Sequence, residues 1–600
     1  MQSIWSSITT HLDPKKTLFV IFVIILANKV HTKIRTNIIA SRLYKKAQEK
    51  RKQRDALIAT QFTPPSEISE EKRSLILSSS VTQLSQLLND DKITSEEILR
   101  VYHSRAITFG LSLELIAESN YDEALETAKK CDEIRKKTPR DERHKLGGLF
   151  GIPISIKDSF IQKGLDSTCG QASLCFKPNQ EDGEILDLIK SRGAIPFIRS
   201  NAPQTLALLD CVNYIWGRGL NPWNKTRAIG GSSGGEGGLI SSRCSPIGLG
   251  SDALGSIRIP ASFCGIVGYK PTTGRYCMKG HSITGPYAKS KFSIIMSNNG
   301  PLTRCVDDSV LFMKELIREE GRSYDPAHPF IPWNEEKYQQ KKFNIGYVIS
   351  EDFFGASKSS RRAVEETIEA LRKAGHTVAE VKLPNFEKMV LLMVMIMGSE
   401  GGSKGTMKAL SGEEPVKELK GHLALRGIPD FIKKIVRVFL KKAGMTRLAS
   451  LLEHVKGVTV EEYHAKIGEY FDIRNELHSF FVDNKLDAII TPAMPLPAFK
   501  HGFGMELGIA SCYNWPANCA NLPAGVLPVT KVKEGEDVYT DKDSKHNDKL
   551  TKQCNQAIEG SVGLPVNVQV MSLPWEDEKC LAVMKTIEGL VQFNELPPLY

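Results

Sequence analysis

"GGSSGGEGGLI", residues 230–240, sets two adjacent serines among six glycines and a single acid. Glycine forfeits side-chain packing and loses more backbone entropy on folding than any other residue, so such a run marks main chain that turns sharply or approaches something closely. Three readings compete for it. Gly231, Ser233 and Gly235 satisfy G-x-S-x-G, which on an α/β-hydrolase elbow makes the central serine a nucleophile, but that elbow needs an apolar strand directly upstream. "NPWNKTRAI" (221–229) is not one. "GLGSDA" (248–253) matches G-x-G-x-x-A loosely, without a clear βαβ frame or a suitably spaced acid, and no G-K-[ST] ending completes a phosphate loop. The third reading is acyl transfer, which needs a nucleophilic hydroxyl, a base for its proton and backbone N–H donors aimed at the oxyanion. Ser232, Ser233 and Ser256 offer hydroxyls.

A candidate base lies upstream. "GIPISIK" (151–157) puts Ile152, Ile154 and Ile156 on one face and reads as a strand that delivers Lys157 at its mouth. A lysine amine, with an ordinary pKa of about 10.4, acts as a base near neutrality only where burial or a cationic neighbour lowers that value. Taken singly, a serine in a glycine-rich loop is a turn former and a lysine after a strand is solvated.

The surrounding text alternates strands and helices. "TSEEILRVYHSRA" (94–106) opens with a capping box, Thr94 to Glu97, and carries apolar residues at helical spacing. "FNIGYVI" (343–349), a helix from near Ser359 to before Gly375, and "HTVAEV" (376–381) form a strand–helix–strand unit. "LDAIITP" (486–492) and "GLPVNVQVM" (563–571) read as buried strands. The pattern predicts an α/β fold, a central mixed twisted sheet covered by helices.

The same segments carry a resemblance. "GIPISIKDSF" (151–160), then "GGSSGGEGGLI", then "GLGSDALGSIRIPASFCGIVGYKPTTGR" (248–275), "LDAIITP", "NLPAGVLPVT" (521–530) and "GLPVNVQVMSLPWEDEKCL" (563–581) resemble, in order, the amidase signature family of serine hydrolases. The likeness spans roughly residues 80–595 and implies the amidase signature fold with a Ser-Ser-Lys triad. By motif position Ser256 would be the nucleophile, and Ser232 would relay its proton to Lys157 and back to the departing amine. Ser233 would hold Ser232 or Lys157 by hydrogen bonding, and Asp252 and Arg258 would support the loop. The oxyanion donors would be the N–H groups of Ala253, Leu254, Gly255 and Ser256. Leu254 stands where the family's pattern has glycine; were φ positive there, the leucine would be strained by about 1–3 kcal/mol.

Charge and hydropathy set the chain's surroundings. Residues 29–55 hold ten Lys and Arg against Glu49 and Asp55, so they account for +8 of a net +10 and leave a nearly neutral body, which argues against a nucleic-acid groove. Just upstream, "TLFVIFVIILAN" (17–28) is uncharged. Twelve residues of helix reach about 18 Å, so crossing about 30 Å of hydrocarbon requires help from the flanks. No small-residue cleavage site follows, so the run is read as a retained N-terminal membrane helix, and the denser positive charge after it puts the body on the cytosolic side. "IPDFIKKIVRVFLKKAG" (428–444) sets Phe431, Ile432, Ile435, Val436 and Phe439 on one helical face and Lys433, Lys434, Arg437 and Lys441 largely on the other, as membrane-interface helices do. Twelve cysteines without a C-x-x-C pair read as free, mostly buried thiols.

The expected organisation is an anchor at 1–30, a basic juxtamembrane helix and linker at 31–73, and a catalytic domain at 74–600 that includes a membrane-binding cap at 428–444. With the anchor, the resemblance narrows to the fatty acid amide hydrolase branch. It implies a membrane-bound hydrolase that cleaves N-acylethanolamines or primary fatty amides to fatty acid and amine. Its expected partners are the lipid amide and membrane lipids, with no nucleic acid, and the resemblance adds a homodimer. No cofactor is implied, and no H-E-x-x-H or paired Cys/His set suggests a metal. Two alternatives stand beside this reading: a catalytically silent lipid-amide-binding or scaffold protein, motivated by Leu254, and the amidase subunit of a tRNA-dependent amidotransferase.

Overall fold

The strand that ends in Lys157 is buried along its whole length, on both faces. A strand is covered on both sides when helices flank its sheet, as parallel strands require. In the computed structural model of this chain, which describes residues 14–62, 67–282, 294–295, 297–318, 329–399, 404–540 and 548–598, that sheet is large and mixed. In chain order the strands are β1 (Ile116–Ser119), β2 (Pro153–Lys157), β3 (Ile195–Ser200), β4 (Val212–Asn213), β5 (Gly217–Arg218), β6 (Gly248–Asp252), β7 (Val267–Lys270), β8 (Asn298–Thr303), β9 (Asn344–Tyr347), β10 (Thr377–Glu380), β11 (Ala488–Pro492), β12 (Ala524–Lys531) and β13 (Pro565–Met571). β4 and β5 pair only with each other, and the other eleven lie in the order β1-β3-β2-β6-β8-β7-β12-β13-β11-β9-β10. β2 runs parallel to β3 and β6, and β9 parallel to β10 and β11; the remaining pairs are antiparallel.

The helices named below are α1 (Pro14–Gln61), α2 (Gly234–Ser241), α3 (Arg258–Cys264), α4 (Lys358–Lys373), α5 (Phe386–Gly398), α6 (Asp430–Lys442), α7 (Thr446–His454) and α8 (Val460–Asp483). α2, α3 and α4 pack on the sheet. The predicted strand–helix–strand unit is β9–α4–β10, its two strands parallel and its helix closed by Gly375 at φ +83°. The predicted capping box forms, Thr94 accepting from the Glu97 N–H while Glu97 accepts from the Thr94 N–H. All twelve cysteines are free thiols, eleven of them buried.

The N-terminal segment differs from the expected division. The proposed boundary at residue 30 falls inside α1, a single 48-residue helix of about 72 Å. Its last turns, expected as juxtamembrane helix as far as residue 60, dock on edge strand β1. Ala47, Lys50, Arg54, Ile58 and Gln61 are buried at helical spacing. Lys50 pairs with Glu118 and, at 2.8 Å, with Asp166, and Arg54 donates to the Ile116 carbonyl while lying over the Trp216 ring. Two of the basic residues read as juxtamembrane charge are therefore internal. Residues 1–13 of the expected anchor, and Pro64 and Pro65 of the expected linker, lie outside the described residues. Among the described residues no helix is long and apolar enough to cross a membrane.

α6 and α7 form a helical pair. The face of α6 turned inward carries Lys433, which is buried and donates to the Val455 carbonyl at 2.8 Å, and Arg437, which pairs with Glu453 on α7. Lys433 therefore is not on the solvent face, as the sequence pattern suggested. Its apolar face is outermost, with Phe431 and Phe439 each 67% exposed and Ile432, Ile435 and Val438 exposed beside them.

Candidate active site

Parallel pairing of β2 with β6 brings two distant sequence motifs together. The register Ser155↔Gly248 and Ile156↔Leu249 brings Lys157, the last residue of β2, alongside the middle of β6. Lys157 is fully buried, and its Nζ donates to Ser232 Oγ at 2.7 Å and to Ser251 Oγ at 2.9 Å. Burial lowers its pKa to about 8, against the opposing influence of Cys169, Cys211, Asp252 and Glu236.

The glycines of 230–238 serve close approach. At Gly235 a Cβ would lie 2.5 Å from both the N and the O of Asn201, and at Gly231 it would lie 2.1 Å from the Leu208 carbonyl oxygen. α2 is buried on every side and starts immediately after Ser233, so Ser232 is held at its N-terminal end. The Gly231–Ser232 peptide is cis.

Ser233 does not have the expected task of holding Ser232 or Lys157. Its N–H donates to the Ser256 carbonyl at 3.1 Å, while its Oγ donates to the Ser251 carbonyl and accepts from the Ser251 N–H. It splices the two serine segments through the backbone. Ser251, unnoticed in the sequence, is the hydroxyl that takes the second amine bond. Its nearness to Lys157 is visible only once β2 and β6 are known to be neighbours.

Ser256 lies half-buried between β6 and α3. The Ser233–Ser256 bond places it beside the Ser232 segment, but among the described residues its Oγ makes no hydrogen bond, and none links it to Ser232. The loop before it is built around Asp252. That carboxylate accepts from the Gly255 N–H at 2.8 Å and the Ile257 N–H at 3.1 Å, takes both Arg258 Nε and Nη2 at 3.0 Å, and accepts from Asn518. Burial alone would raise its pKa, but the Arg258 guanidinium holds it far below the usual carboxylate range. Arg258 also donates to the Asn514 carbonyl at 2.8 Å and to Gln569 Oε1 at 2.7 Å, tying the loop to β13. Asp252 and Arg258 thus shape the loop.

Two expectations for the oxyanion donors change. The Gly255 N–H is committed to Asp252, which leaves Ala253, Leu254 and Ser256, whose N–H groups donate to no acceptor among the described residues. The positive φ of the loop falls on Gly255, at +104°, and not on Leu254, so the leucine carries none of the strain that its place in the pattern suggested.

Behind Lys157 stands a second buried acid that the sequence reading passed over. Glu236 on α2 is fully buried and accepts from Ser155 Oγ, with Lys157 two residues further along β2. Burial raises its pKa to about 7. One extra carbon at Gly248 would lie 2.0 Å from its Oε2, so a glycine in β6 makes room for it.

Comparison with known proteins places this arrangement. The profile of the family described as Amidase matches residues 97–581. The chain is 32% identical over 463 residues to "Fatty-acid amide hydrolase 1" of Sus scrofa, covering 75% of this chain and 77% of that protein. It is 31% identical over 529 residues to "Fatty acid amide hydrolase 1" of Caenorhabditis elegans, covering 86% and 89%. A solved structure described as "Fatty acid amide hydrolase" superimposes with a TM-score of 0.76 at 25% identity, over 93% of this chain and 95% of that one.

Proposed function

Since this chain belongs to the amidase signature family and is a hydrolase similar to the fatty acid amide hydrolases, we propose that it cleaves lipid amides at a membrane surface through an acyl-enzyme on Ser256. The observation that carries the reading is the buried amine of Lys157 bonded to the Ser232 hydroxyl. With a pKa of about 8, roughly a tenth of that amine is neutral at pH 7 and able to accept a proton. Ser256 Oγ turns toward Ser232 and attacks the amide carbonyl; its proton passes to Ser232 Oγ, which gives its own to Lys157. The oxyanion takes N–H bonds from Ala253, Leu254 and Ser256, donors already fixed by the loop around Asp252. As the tetrahedral intermediate collapses, the ammonium of Lys157 returns the proton through Ser232 to the leaving nitrogen, and the C–N bond breaks. Water then repeats the sequence on the ester, releasing the acid.

A lipid substrate is supported by the named relatives and by the exposed apolar faces. On α1, Phe19, Val23, Leu26, Val30, Ile34 and Ile38 are exposed, and on α6 the residues around Phe431 and Phe439 are. Such faces lie in the headgroup region without spanning the bilayer.

A fluorophosphonate probe and an amide panel test the reading. The wild-type chain is expected to label, Ser256→Ala is not, and kcat/KM for long-chain acyl ethanolamides is expected to exceed that for acetamide by at least 100-fold. Absence of labelling in folded protein overturns the hydrolase; equal turnover of acetamide overturns the lipid substrate.

A further inference from the structure

A cleft of about 490 Å³ opens between the segment after β9, α5, α7 and α8, and none of the serine or lysine residues described above lines it. Phe353, Phe386, Leu391 and Leu392 give it apolar walls. Its other charged groups are largely matched: Lys382 pairs with Asp352 at 3.5 Å, and Lys466 and Lys388 both reach Glu469, at 2.5 and 3.9 Å. Among the described residues neither Glu387 nor Glu351 has an ion pair, but Glu387 is exposed and Glu351 is not. Glu351 lines the cleft, is only 5% exposed, and among the described residues no donor reaches its Oε1. Its backbone N–H is fixed by donation to the Tyr513 hydroxyl, which in turn donates to the Phe354 carbonyl.

A carboxyl with one buried oxygen that no donor reaches is a costly feature, and a cation held against the group offsets the cost. No group of three or more His, Cys, Asp or Glu among the described residues has a metal-holding arrangement, and the walls are apolar, so a bare metal ion does not fit the lining. We propose that this cleft binds a free alkylammonium ion, its nitrogen against Glu351 and its carbon chain on Phe353, Phe386, Leu391 and Leu392. The amine released by amide hydrolysis belongs to this class; that identification of the natural ligand rests on the function proposed above, whereas the binding itself does not.

The site's pH dependence follows from its surroundings. Burial raises the Glu351 pKa to about 8, opposed by Lys382 and reinforced by Asp352. The other charged or titratable groups facing the cleft are Glu387 and Lys388 from α5, His454 from α7, and Lys466 and Glu469 from α8. Near neutrality the carboxyl holds its proton and must release it to pair with an ammonium. Affinity therefore rises about tenfold from pH 7 to pH 9, while an alkylamine stays charged.

Calorimetric titration of butylammonium chloride into the full chain, held in a sugar-headgroup detergent and with Ser256 blocked by fluorophosphonate, tests the proposal. One ammonium is expected to bind per chain, with proton release at pH 7, the tenfold rise by pH 9, and at least tenfold weaker binding of butanol. Glu351→Gln is expected to lose tenfold or more at pH 9 without change in its near-ultraviolet circular dichroism. Should that variant fail to fold, Leu391→Trp, which fills the cleft, is expected to weaken binding equally. Undiminished binding in the folded variant, equal binding of butanol, or loss of binding on blocking Ser256 each overturns the site. If the wild-type chain resists the fluorophosphonate, the titration is run on the unblocked chain, so failure of the hydrolase reading is seen separately.

Discussion

Lys157 has two hydroxyl acceptors and no contact with water, and the cost of burying its charge fixes both its chemistry and its pH behaviour. Only the neutral amine accepts a proton, so kcat/KM is expected to rise with pH through an apparent pKa of about 8, read from initial rates between pH 6 and 9.5. Lys157→Ala is expected to lower kcat/KM by about 10³-fold, within the usual range for losing a general base, and to abolish that limb. A linked stability effect has a definite sign. The folded pKa lies below the unfolded value of about 10.4, so between pH 8 and 10 the unfolded chain binds the extra proton and stability rises with pH. That increment, taken as the difference in urea unfolding free energy between the wild type and Lys157→Met, is expected to vanish in the variant; a pH-independent difference would refute the burial argument. The meeting of Lys157 and Ser232 was legible through the family resemblance, whose motifs carry both residues in order. Ser251 and Glu236 were not. A strand serine and a helix glutamate acquire meaning only when β2, β6 and α2 are neighbours, and nothing local in "GLGSDA" or "GGEGG" announces it.

At the scale of elements, glycine spacing shows why α2 is a helix of glycines despite their poor helix propensity. Packing on all sides, and not intrinsic preference, holds it: Asn201, Leu115, Ile229 and Pro260 each occupy the space a side chain would need. Gly235→Ala places a methyl carbon 2.5 Å from two backbone atoms of Asn201, a neighbour that cannot rotate away. The expected outcome is a loss of about 3 kcal/mol in stability, the upper part of the range for overpacking, seen as a lower urea midpoint. Because the same helix end positions Ser232, fluorophosphonate labelling should slow even in the fraction that remains folded. The strands were readable because β2, β11 and β13 are short apolar runs bounded by turn residues, and β9–α4–β10 shows its change of period plainly. The docking of α1 on the body was not legible, for a physical reason. Lys50 and Arg54 look like solvated charge in sequence, and only the acidic Glu118 and Asp166 and the free Ile116 carbonyl, all more than 60 residues away, turn them inward.

At the scale of the molecule, two helices expose apolar side chains while burying a few basic ones, Lys50 and Arg54 on α1 and Lys433 on α6, a departure from the usual surface helix. On α6, Lys433 is buried and Phe431, Ile435, Val438 and Phe439 are exposed. The sequence pattern established that α6 has two faces but not which one points out, since that depends on its packing against α7. Moving a phenylalanine from water into an apolar layer contributes about 2 kcal/mol, and each lysine near an anionic surface about 1 kcal/mol. If α6 enters a membrane as proposed, its two phenylalanines would supply about 4 kcal/mol, or roughly a thousandfold in partitioning. On the proposed membrane reading α1 would be a second, independent contact, so with both present the loss of either would be masked by the high local concentration the other maintains. Vesicle flotation separates them. The full chain is expected to float with both neutral and anionic vesicles whatever the salt. A chain lacking residues 1–30 should float with anionic vesicles at low salt and be released at high salt, and Phe431→Ser with Phe439→Ser in that background should leave it at the bottom of the gradient. If the truncated chain already stays at the bottom at low salt, α6 makes no membrane contact and its exposed face must serve another partner; if the full chain fails to float, the membrane attachment itself is wrong.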